Sequence, residues 1–398
     1  MTIKVLYTGA FRFPQVDAAA KRVAMVAKLL EQNGCHVTFA GWEATQTPFQ
    51  EYRHQDRPCI SMNELDQKAS TRIRKLTGFL KQGEKTLSWL KTGQHTFDAV
   101  IAYNPPALFA NRLRRLGKTM GFCAMLDSTE WYDNSHLPGG PFGPVALENT
   151  ARMRLAYCGF DDVICISRFL EARYNNRNVI NIPPLTQVLA AVPDAHPHTS
   201  PVSVLYAGNL GRKDKLASFI QALPRIQMRL GRPVRLRIAG MDQAALISVL
   251  GQSGDIAAAL SHVDCLGRLT PDAVKAEYLG CHFSVIVRED KRYAWAGFPT
   301  KVPESLGYAC PVIANRVGDI GHILTDGHDA ILADEDTFMD RLPDAIAQAL
   351  EPGRHQAMRT AALDTAGRHF TTHAHIAPMR RFLERAGFAS RLSKDIHR

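Results

Sequence analysis

A glycine-bearing turn that carries three cations is the first segment whose residue types could do chemistry. Residues 206–215 read YAGNLGRKDK: a predicted strand ends in a glycine turn, and Arg212, Lys213 and Lys215 precede a predicted helix. Glycine lets the backbone approach a ligand closely, and a helix start offers free N–H groups and positive dipole charge. The segment would suit a diphosphate, although a solvated basic turn would have the same composition. It is not a Walker loop, because the G-x-x-x-x-G-K-[ST] pattern is absent.

A second segment places a cation and a carboxylate at the start of a later helix. Residues 296–304 read AGFPTKVPE, where Thr300 could cap the helix and Pro303 fits its first turn. Lys301 and Glu304 are three residues apart and therefore lie on one side of the helix. The carboxylate could accept both hydroxyls of a ribose while the cation faces phosphate. An ordinary amphipathic helix with one intrahelical ion pair would give the same pattern.

Together these segments resemble the donor-nucleotide signature of the group 1 glycosyltransferases, which are retaining GT-B enzymes of glycosyltransferase family four. The similarity covers roughly residues 202 to 350, including the loop 316–320, and extends more loosely to the strand-like run 162–167 of the first half. The resemblance implies donor-binding roles for Gly208, Asn209, Arg212, Lys213, Arg288, Thr300, Lys301, Glu304 and Gly318.

The resemblance implies transfer of a sugar from a nucleotide-diphosphate sugar with retained anomeric configuration. Arg212 and Lys301, helped by Lys213 or Lys215, would stabilise the leaving diphosphate, so that neither a cofactor nor a metal is needed. A leaving phosphate oxygen would accept the proton of the acceptor. The run 334–336 matches a D-x-D metal pattern, but it lies at a predicted surface turn and short matches are often accidental.

Two departures from the family pattern concern the sugar-facing residues. The family often has two glutamates separated by seven residues; the second falls on Glu304, but the first falls on Ala296. Many members also have a histidine after the strand that here is predicted to end at Leu126, where this chain continues DSTEW. The resemblance then implies that Asp127 or Glu130 makes the polar contacts to the sugar. These two residues are therefore the candidate catalytic residues. The identity of the donor sugar stays open.

The acceptor is expected on the N-terminal half of the chain. The first predicted strand runs into Gly9-Ala10-Phe11-Arg12, with one glycine where relatives often have two. Gly9 and Arg12 are therefore candidate acceptor-side residues. Trp131 could stack on an acceptor sugar, or it could only pack its own loop.

Residues 68–93 form a basic amphipathic segment that contains aromatic residues. One interpretation is docking on an anionic membrane surface, where each basic residue adds roughly 1 kcal/mol. The other is a long helix with a solvated basic face. The basic members are Lys68, Arg72, Arg74, Lys75, Lys81, Lys85 and Lys91, and the apolar members are Ile73, Leu76, Phe79, Leu80, Leu87, Trp89 and Leu90.

The composition is that of a folded globular protein and excludes disordered, collagen-like and coiled-coil chains. The 398 residues are 45% hydrophobic and 22% charged, and 48 basic against 38 acidic residues give a net charge of +10. No apolar run reaches the roughly 20 residues of a membrane span, and residues 1–7 read as a strand and not as a signal peptide. Eight cysteines without C-x-x-C spacing indicate core residues in a reducing compartment. We expect a cytoplasmic protein, with peripheral contact to the inner face of the membrane as an open alternative.

Strands alternate with helices along the whole chain, which predicts α/β domains with parallel sheets. The expected fold class is two Rossmann-like domains facing across a cleft, of GT-B type. We expect an acceptor-binding domain over 1–185, a linker over 186–201 and a nucleotide-sugar-binding domain over 202–365. A C-terminal helix within 366–398 should return to the first domain. Predicted strands cover 3–7, 37–40, 99–102, 122–126, 162–166, 179–182, 202–207, 235–239, 262–266, 283–287 and 311–314.

The leading hypothesis is a glycosyltransferase that acts on a glycan or lipid-linked acceptor in the synthesis of a cell-surface polysaccharide or glycolipid. A sugar-nucleotide epimerase of the same fold would also bind a nucleotide diphosphate. Ala296 and the missing histidine motivate a third hypothesis, a non-catalytic nucleotide-sugar-binding protein. A nucleic-acid-binding protein is disfavoured, since the cations concentrate in one helix and in phosphate-type loops and no recognised binding module is present.

Overall fold

The structure is a computed structural model that describes residues 2–13, 17–45, 47–64, 81–194, 201–208, 214–250, 258–334 and 337–392. The chain divides into two compact units. The first comprises Met1–Leu185 and Thr372–Arg398, and the second comprises Thr186–Thr371.

The described strands of the first unit form one sheet of eight strands in the order β3-β4-β2-β1-β5-β6-β7-β8. Neighbouring strands are parallel, except that β3 runs antiparallel to β4. The strands are β1 (Ile3–Gly9), β2 (Cys35–Gly41), β3 (Gln50–His54), β4 (Arg57–Ser61), β5 (Ala99–Tyr103), β6 (Cys123–Ser128), β7 (Asp162–Cys165) and β8 (Asn178–Asn181).

Helices cover both faces of this sheet, which is why its central strands are nearly continuous apolar runs. One face packs Val23 and Leu30 of the first helix over Val5 and Val37. The helices are α1 (Ala18–Glu31), α2 (Glu84–Lys91), α3 (Ala107–Met120), α4 (Pro144–Ala151) and α5 (Arg168–Arg173), with short turns at Asn134–His136, Arg152–Ala156 and Tyr157–Gly159.

Helix α2 excludes insertion of its apolar side chains into a membrane, for the part of residues 68–93 that the structure describes. Leu87, Trp89 and Leu90 are all buried, in a core with Leu113 of α3 and Trp42. Apolar side chains that pack against the sheet are not free to enter a lipid surface. Within residues 84–91 the apolar side chains thus belong to the core and the exposed cations are Lys85 and Lys91, while residues 68–80 lie outside the described residues.

The described strands of the second unit form a parallel sheet of six strands in the order β11-β10-β9-β12-β13-β14. The strands are β9 (Val202–Ala207), β10 (Val234–Ala239), β11 (Val263–Gly267), β12 (Phe283–Ile286), β13 (Val312–Asn315) and β14 (Ala330–Ala333).

Strand order reverses once in this second sheet, between β9 and β12, because the chain first builds outward to β11 and then returns to the other side of β9. In open α/β sheets the crevice at such a reversal, at the carboxyl ends of the strands, is where ligands bind. The helices are α6 (Leu216–Leu230), α7 (Gln243–Leu250), α8 (Pro271–Gly280), α9 (Arg292–Ala296), α10 (Lys301–Gly307), α11 (Ile320–Ile323), α12 (Phe338–Ala349) and α13 (Arg354–His369), with a short turn at Leu260–His262.

The last described helix belongs to the first unit. Helix α14 (Thr372–Leu383) buries Met379 and Phe382 against α1, and the side-chain amide of Asn178 donates to the Phe382 carbonyl at 2.9 Å. Helix α13 continues to His369 within the second unit, so the segment that packs on the first unit begins at Thr372 and not at residue 366. Short turns follow at Glu384–Phe388 and Ala389–Arg391.

The hairpin of β3 and β4 at one end of the first sheet was not predicted from the sequence. The residues of β3 are exposed or half-buried, so they carry no hydrophobic alternation. Gln55 and Asp56 connect the strands with φ of 49° and 62°, the left-handed conformations that a two-residue hairpin turn requires. Strand β14 and helices α4, α7 and α8 were also not predicted.

Candidate functional site

The donor-side residues that the structure describes meet at the strand-order reversal of the second sheet. Gly208 follows β9, Arg288 follows β12, and Lys301 is the first residue of α10. Asp214 joins them through an isolated bridge to Arg288, next to a hydrogen bond from the Lys215 amide to the Val287 carbonyl at 2.7 Å. The site thus forms where a parallel sheet offers a crevice.

Gly208 is required by its conformation and by its neighbour. Its φ is +136°, and a β-carbon there would lie 2.7 Å from Cε of Lys301 and 3.2 Å from its Nζ. Any side chain at this position would displace the lysine. The glycine of the predicted phosphate turn therefore makes room for the cation that was predicted to face phosphate.

Asp214 is the centre of the site. Its Oδ2 accepts hydrogen bonds from Lys301 Nζ at 2.8 Å and from the Tyr206 hydroxyl at 2.6 Å. Its Oδ1 accepts from Arg288 Nε at 3.3 Å. All of these partners are far from Asp214 in the sequence except Tyr206.

The Tyr206 ring packs against the Lys301 ammonium. Lys301 Nζ lies 3.9 Å from the centroid of the Tyr206 ring, a cation–π distance. Burial, together with the Asp214 carboxylate, raises the pKa of the tyrosine, so its hydroxyl stays protonated and donates to that carboxylate. The aromatic face and the carboxylate hold the ammonium from two directions.

Two cations, Lys301 and Arg288, surround the carboxylate of Asp214, and the carboxylate of Glu304 also acts on Lys301. Burial lowers the pKa of Lys301, although Asp214 opposes this shift. Burial would raise the pKa of Asp214, but Lys301 and Arg288 outweigh it and lower that pKa below its ordinary value. Cationic side chains at the carboxyl ends of parallel strands suit an anionic ligand.

Arg288 is oriented by a buried asparagine at the end of β13. The Asn315 side chain accepts from the Arg288 amide at 2.9 Å and donates to the Arg288 carbonyl at 2.7 Å. This double contact fixes the backbone of Arg288 at the carboxyl end of β12. Asn315 itself is fully buried. No sequence signal in the analysis above pointed to Asn315.

The remaining signature residues lie around α10 and the loop after β13. Glu304 is half-buried in the first turn of α10, on the helix that begins with Lys301. Thr300 occupies the position before the helix, but in helical conformation, and its side chain caps no amide among the described residues, which corrects the expected cap. Gly318 has φ of +61°, and a β-carbon there would lie 2.6 Å from the Ala294 carbonyl oxygen.

Sequence reasoning named Gly208, Arg288, Lys301 and Glu304, and the structure describes these together at one sheet edge. It missed Tyr206, Asp214 and Asn315. Ala296, where relatives often have a glutamate, is fully buried at the end of α9. Asn209, Arg212 and Lys213 lie outside the described residues.

In the first unit, Asp127 is buried and its carboxylate is engaged by other side chains of the same unit. Its carboxylate is fully buried and accepts from Arg22 Nη2 at 2.7 Å and from the Tyr7 hydroxyl at 2.5 Å. Arg22 also donates to the Ile182 carbonyl at 2.8 Å. The strand predicted to end at Leu126 continues to Ser128, so Asp127 is a sheet residue. This environment does not match the sugar contact predicted for it.

Glu130 lies beyond the end of β6, half-buried among polar and aromatic side chains. It is hydrogen-bonded to Tyr132, whose pKa is raised by burial and then by this carboxylate. Next to it, Asn104 donates to Thr129 Oγ1 at 2.5 Å, and the Thr129 amide donates back to Asn104 at 2.9 Å. Of the two candidate carboxylates, only Glu130 lies in a loop at the carboxyl ends of the strands.

The other acceptor-side candidates also lie near the carboxyl ends of the strands of the first sheet. Gly9 has φ of +148°, and a β-carbon would lie 2.7 Å from the Tyr103 carbonyl oxygen, at the point where strand order reverses between β1 and β5. Arg12 is exposed and pairs with Asp17 at 3.0 Å. The Trp131 ring contacts Phe169, with 6.0 Å between centroids, so it packs its own loop against α5.

Among the described residues, no group of three or more histidine, cysteine, aspartate or glutamate side chains could hold a metal ion. Asp334 of the D-x-D run is exposed and pairs with Arg316 at 3.2 Å. The rest of that run lies outside the described residues. No helix in the described part of the chain is both long and apolar enough to cross a membrane.

Comparison with known proteins matches part of the second unit to one family of enzymes. Residues 201–352 match the family model described as glycosyl transferases group 1. An uncharacterized glycosyltransferase of Methanocaldococcus jannaschii is 35% identical over 81 residues, which are 20% of this chain. The match spans only 22% of the length of that curated relative.

Solved structures of similar fold cover almost the whole chain. Sucrose-phosphate synthase from Thermosynechococcus elongatus superposes with a TM-score of 0.70 and 15% identity, over 98% of this chain and 100% of the other. A UDP-forming α,α-trehalose-phosphate synthase from Burkholderia vietnamiensis gives 0.71 at 11% identity, over 99% and 100%. These neighbours and the two parallel-sheet units confirm the expected GT-B fold. Residues 201–352 are therefore similar to the group 1 glycosyltransferases, within a chain of GT-B fold.

Proposed function

We propose that this protein is a glycosyltransferase that moves a sugar from a nucleotide-diphosphate sugar to an acceptor. The observation that carries the proposal is the convergence of Lys301 and Arg288 on Asp214, beside Gly208, at the strand-order reversal of the second sheet. A nucleotide diphosphate is the ligand class that fits a compact cationic site at this place in an α/β sheet.

The chemistry follows from the charge that develops when the bond between the sugar and the diphosphate breaks. Lys301 and Arg288 would stabilise the leaving diphosphate, and their fixed positions avoid reorganisation during the reaction. The Glu304 carboxylate would accept hydrogen bonds from the two hydroxyls of the ribose. Transfer would retain the anomeric configuration, with a leaving phosphate oxygen accepting the acceptor's proton, and it would need no metal.

The acceptor would bind to the first unit, at the carboxyl ends of β1, β5 and β6. Arg12 and Glu130 would supply polar side chains there, and Gly9 would let the acceptor approach the backbone. A glycan or a lipid-linked glycan would suit this role, which would place the enzyme in the synthesis of a cell-surface polysaccharide or glycolipid at the cytoplasmic side of the membrane.

The proposal predicts that one nucleotide sugar stabilises the protein and that its nucleotide is released only when an acceptor is added. A thermal-shift screen with UDP-, GDP-, ADP- and CMP-sugars would identify the donor, because a ligand at 100 times its Kd stabilises by about 2.7 kcal/mol. Product NMR would then report the anomeric configuration.

Two outcomes of this screen would contradict the proposal. An isomerised donor in the absence of acceptor would indicate an epimerase of the same fold. A donor that binds but never releases nucleotide, whichever acceptor is offered, would indicate a binding protein. The matched control is Lys275→Ala, which removes an exposed cation of α8. It should bind the donor and release nucleotide like the parent protein.

We also propose contact between the first unit and an anionic membrane surface, carried by charge. Lys91 is exposed on α2, Arg115 is exposed on α3, and Lys81 is exposed just before α2. Replacing the basic residues of 68–93 by glutamine should strongly reduce sedimentation with anionic vesicles and leave turnover of a soluble acceptor intact, since each charge near the surface is worth about 1 kcal/mol.

The matched control removes the same number of exposed cations from the second unit, including Arg225 and Arg229 of α6. It should sediment like the parent protein. Equal sedimentation of the 68–93 variant and the parent would discard the membrane proposal.

A further inference from the structure

We propose that Asp214 is a positioning residue that holds Lys301 and Arg288 ready for the donor diphosphate. The role in transfer rests on the proposed function, whereas the hold on the two cations is a property of the protein alone. Asp214 is not itself expected to touch the donor, because its carboxylate is already engaged by three side chains.

The geometry gives each carboxylate oxygen its own task. Oδ1 accepts from Arg288, which is 74 residues away, and Oδ2 accepts from Lys301, which is 87 residues away. The Tyr206 hydroxyl completes the contacts of Oδ2 at 2.6 Å. One short side chain thus ties the end of β12 to the first turn of α10.

Asp214 can act in this way because it is itself held firmly. Its backbone forms the bridge to Arg288, and its side chain is only 8% exposed. The neighbouring amide of Lys215 bonds to the Val287 carbonyl at 2.7 Å. A buried acceptor on fixed backbone orients a long, flexible lysine before any ligand arrives.

The carboxylate also keeps the lysine charged. The charged or titratable groups that face the ammonium are Asp214, Arg288, Glu304 and the Tyr206 hydroxyl and ring. Burial and Arg288 lower the pKa of Lys301, and Asp214 is the first of the groups that raise it. Without Asp214, burial would favour the neutral amine, which cannot stabilise a diphosphate.

The first test is the Asp214→Asn variant, which keeps the size of the side chain and removes its charge. We expect the KM for the nucleotide sugar to rise about 10- to 100-fold. Donor binding weakens as pH rises through the pKa of Lys301, and this alkaline limb should move to lower pH in the variant, because the ammonium loses its strongest supporter. A role limited to fold stability would not move the limb.

A second measurement needs no donor and so separates this inference from the proposed function. The NMR signal of the Lys301 side chain, in lysine-labelled protein and assigned by its absence from Lys301→Arg, reports the pKa directly. It should titrate at lower pH in Asp214→Asn than in the parent protein. If no nucleotide sugar binds the parent, the proposed function fails, while this titration still decides the positioning role.

Two further variants complete the design. Asp214→Glu retains the carboxylate and should restore much of the parent's pH profile even if Asp214→Asn folds poorly. Asp340→Asn removes an exposed carboxylate of the same unit and should change neither KM nor the limb. An unchanged Lys301 titration together with a KM within twofold of the parent, in folded Asp214→Asn, would overturn the inference.

Discussion

Replacing Lys301 by alanine is expected to lower kcat/KM for the nucleotide sugar by about 10²–10³-fold, the usual cost of removing one preorganised group that stabilises developing negative charge. The Lys301 side chain is 17% exposed and lies beside Gly208, so a diphosphate in the crevice would contact it directly.

Glu304→Ala should weaken nucleotide binding about 10- to 100-fold, as expected for lost hydrogen bonds to a charged group. Calorimetric titration with the nucleotide and steady-state kinetics would measure both effects.

The Lys301→Ala fold should survive, because Asp214 keeps Arg288 and the Tyr206 hydroxyl as partners. Matched controls are Lys275→Ala and Glu351→Ala, which remove exposed charges of the same unit. Unchanged donor affinity in both site variants would contradict the placement of the diphosphate and ribose.

The second large effect is on stability: Asp127→Ala should lower the free energy of unfolding by about 3–5 kcal/mol, the range measured when one partner of a buried ion pair is removed. The variant would leave the Arg22 guanidinium, with a side chain only 4% exposed, without its carboxylate. Although burial disfavours its charge, Asp127 raises the pKa of Arg22, so the guanidinium stays charged and cannot escape the cost by losing its proton. Urea unfolding monitored by circular dichroism would measure the loss.

Asp161→Asn is the control for this prediction. It removes an 83% exposed carboxylate of the same unit that pairs with Arg177 on the surface, and should change stability by less than about 1 kcal/mol. The opposite pattern, an Asp127 variant of parental stability that has lost activity, would return Asp127 to the catalytic role that the sequence suggested.

Much of the fold could be predicted because buried parallel strands are visible as short apolar runs. β1, β9 and β12 are such runs, each ending in a predicted loop, and their alternation with helices predicts two Rossmann-like domains. The GT-B type is what the family resemblance implies. The hairpin of β3 and β4 escaped prediction because its first strand is largely exposed and polar. Pairing with β4, which itself pairs with β2, makes that segment a strand, and not its own sequence pattern.

The membrane interpretation of residues 68–93 shows the same limit. A basic amphipathic helix has one sequence pattern, whether its apolar face meets lipid or the protein's own core. The structure decides the matter for Trp89, which is buried beside Leu113. Only the position of α3 relative to the sheet, which local sequence does not contain, separates the two cases.

By itself the sequence determined the local elements of the candidate donor site: a glycine after β9, a cation after β12, and a lysine and glutamate in the first turn of α10. Only the tertiary structure decided which charges meet, pairing Asp214 with Lys301 across 87 residues and Asp127 with Arg22 across 105. Contacts over such separations depend on strand order, and strand order is set by how helices and sheet bury their apolar faces together. Spacing along the chain carries no record of it.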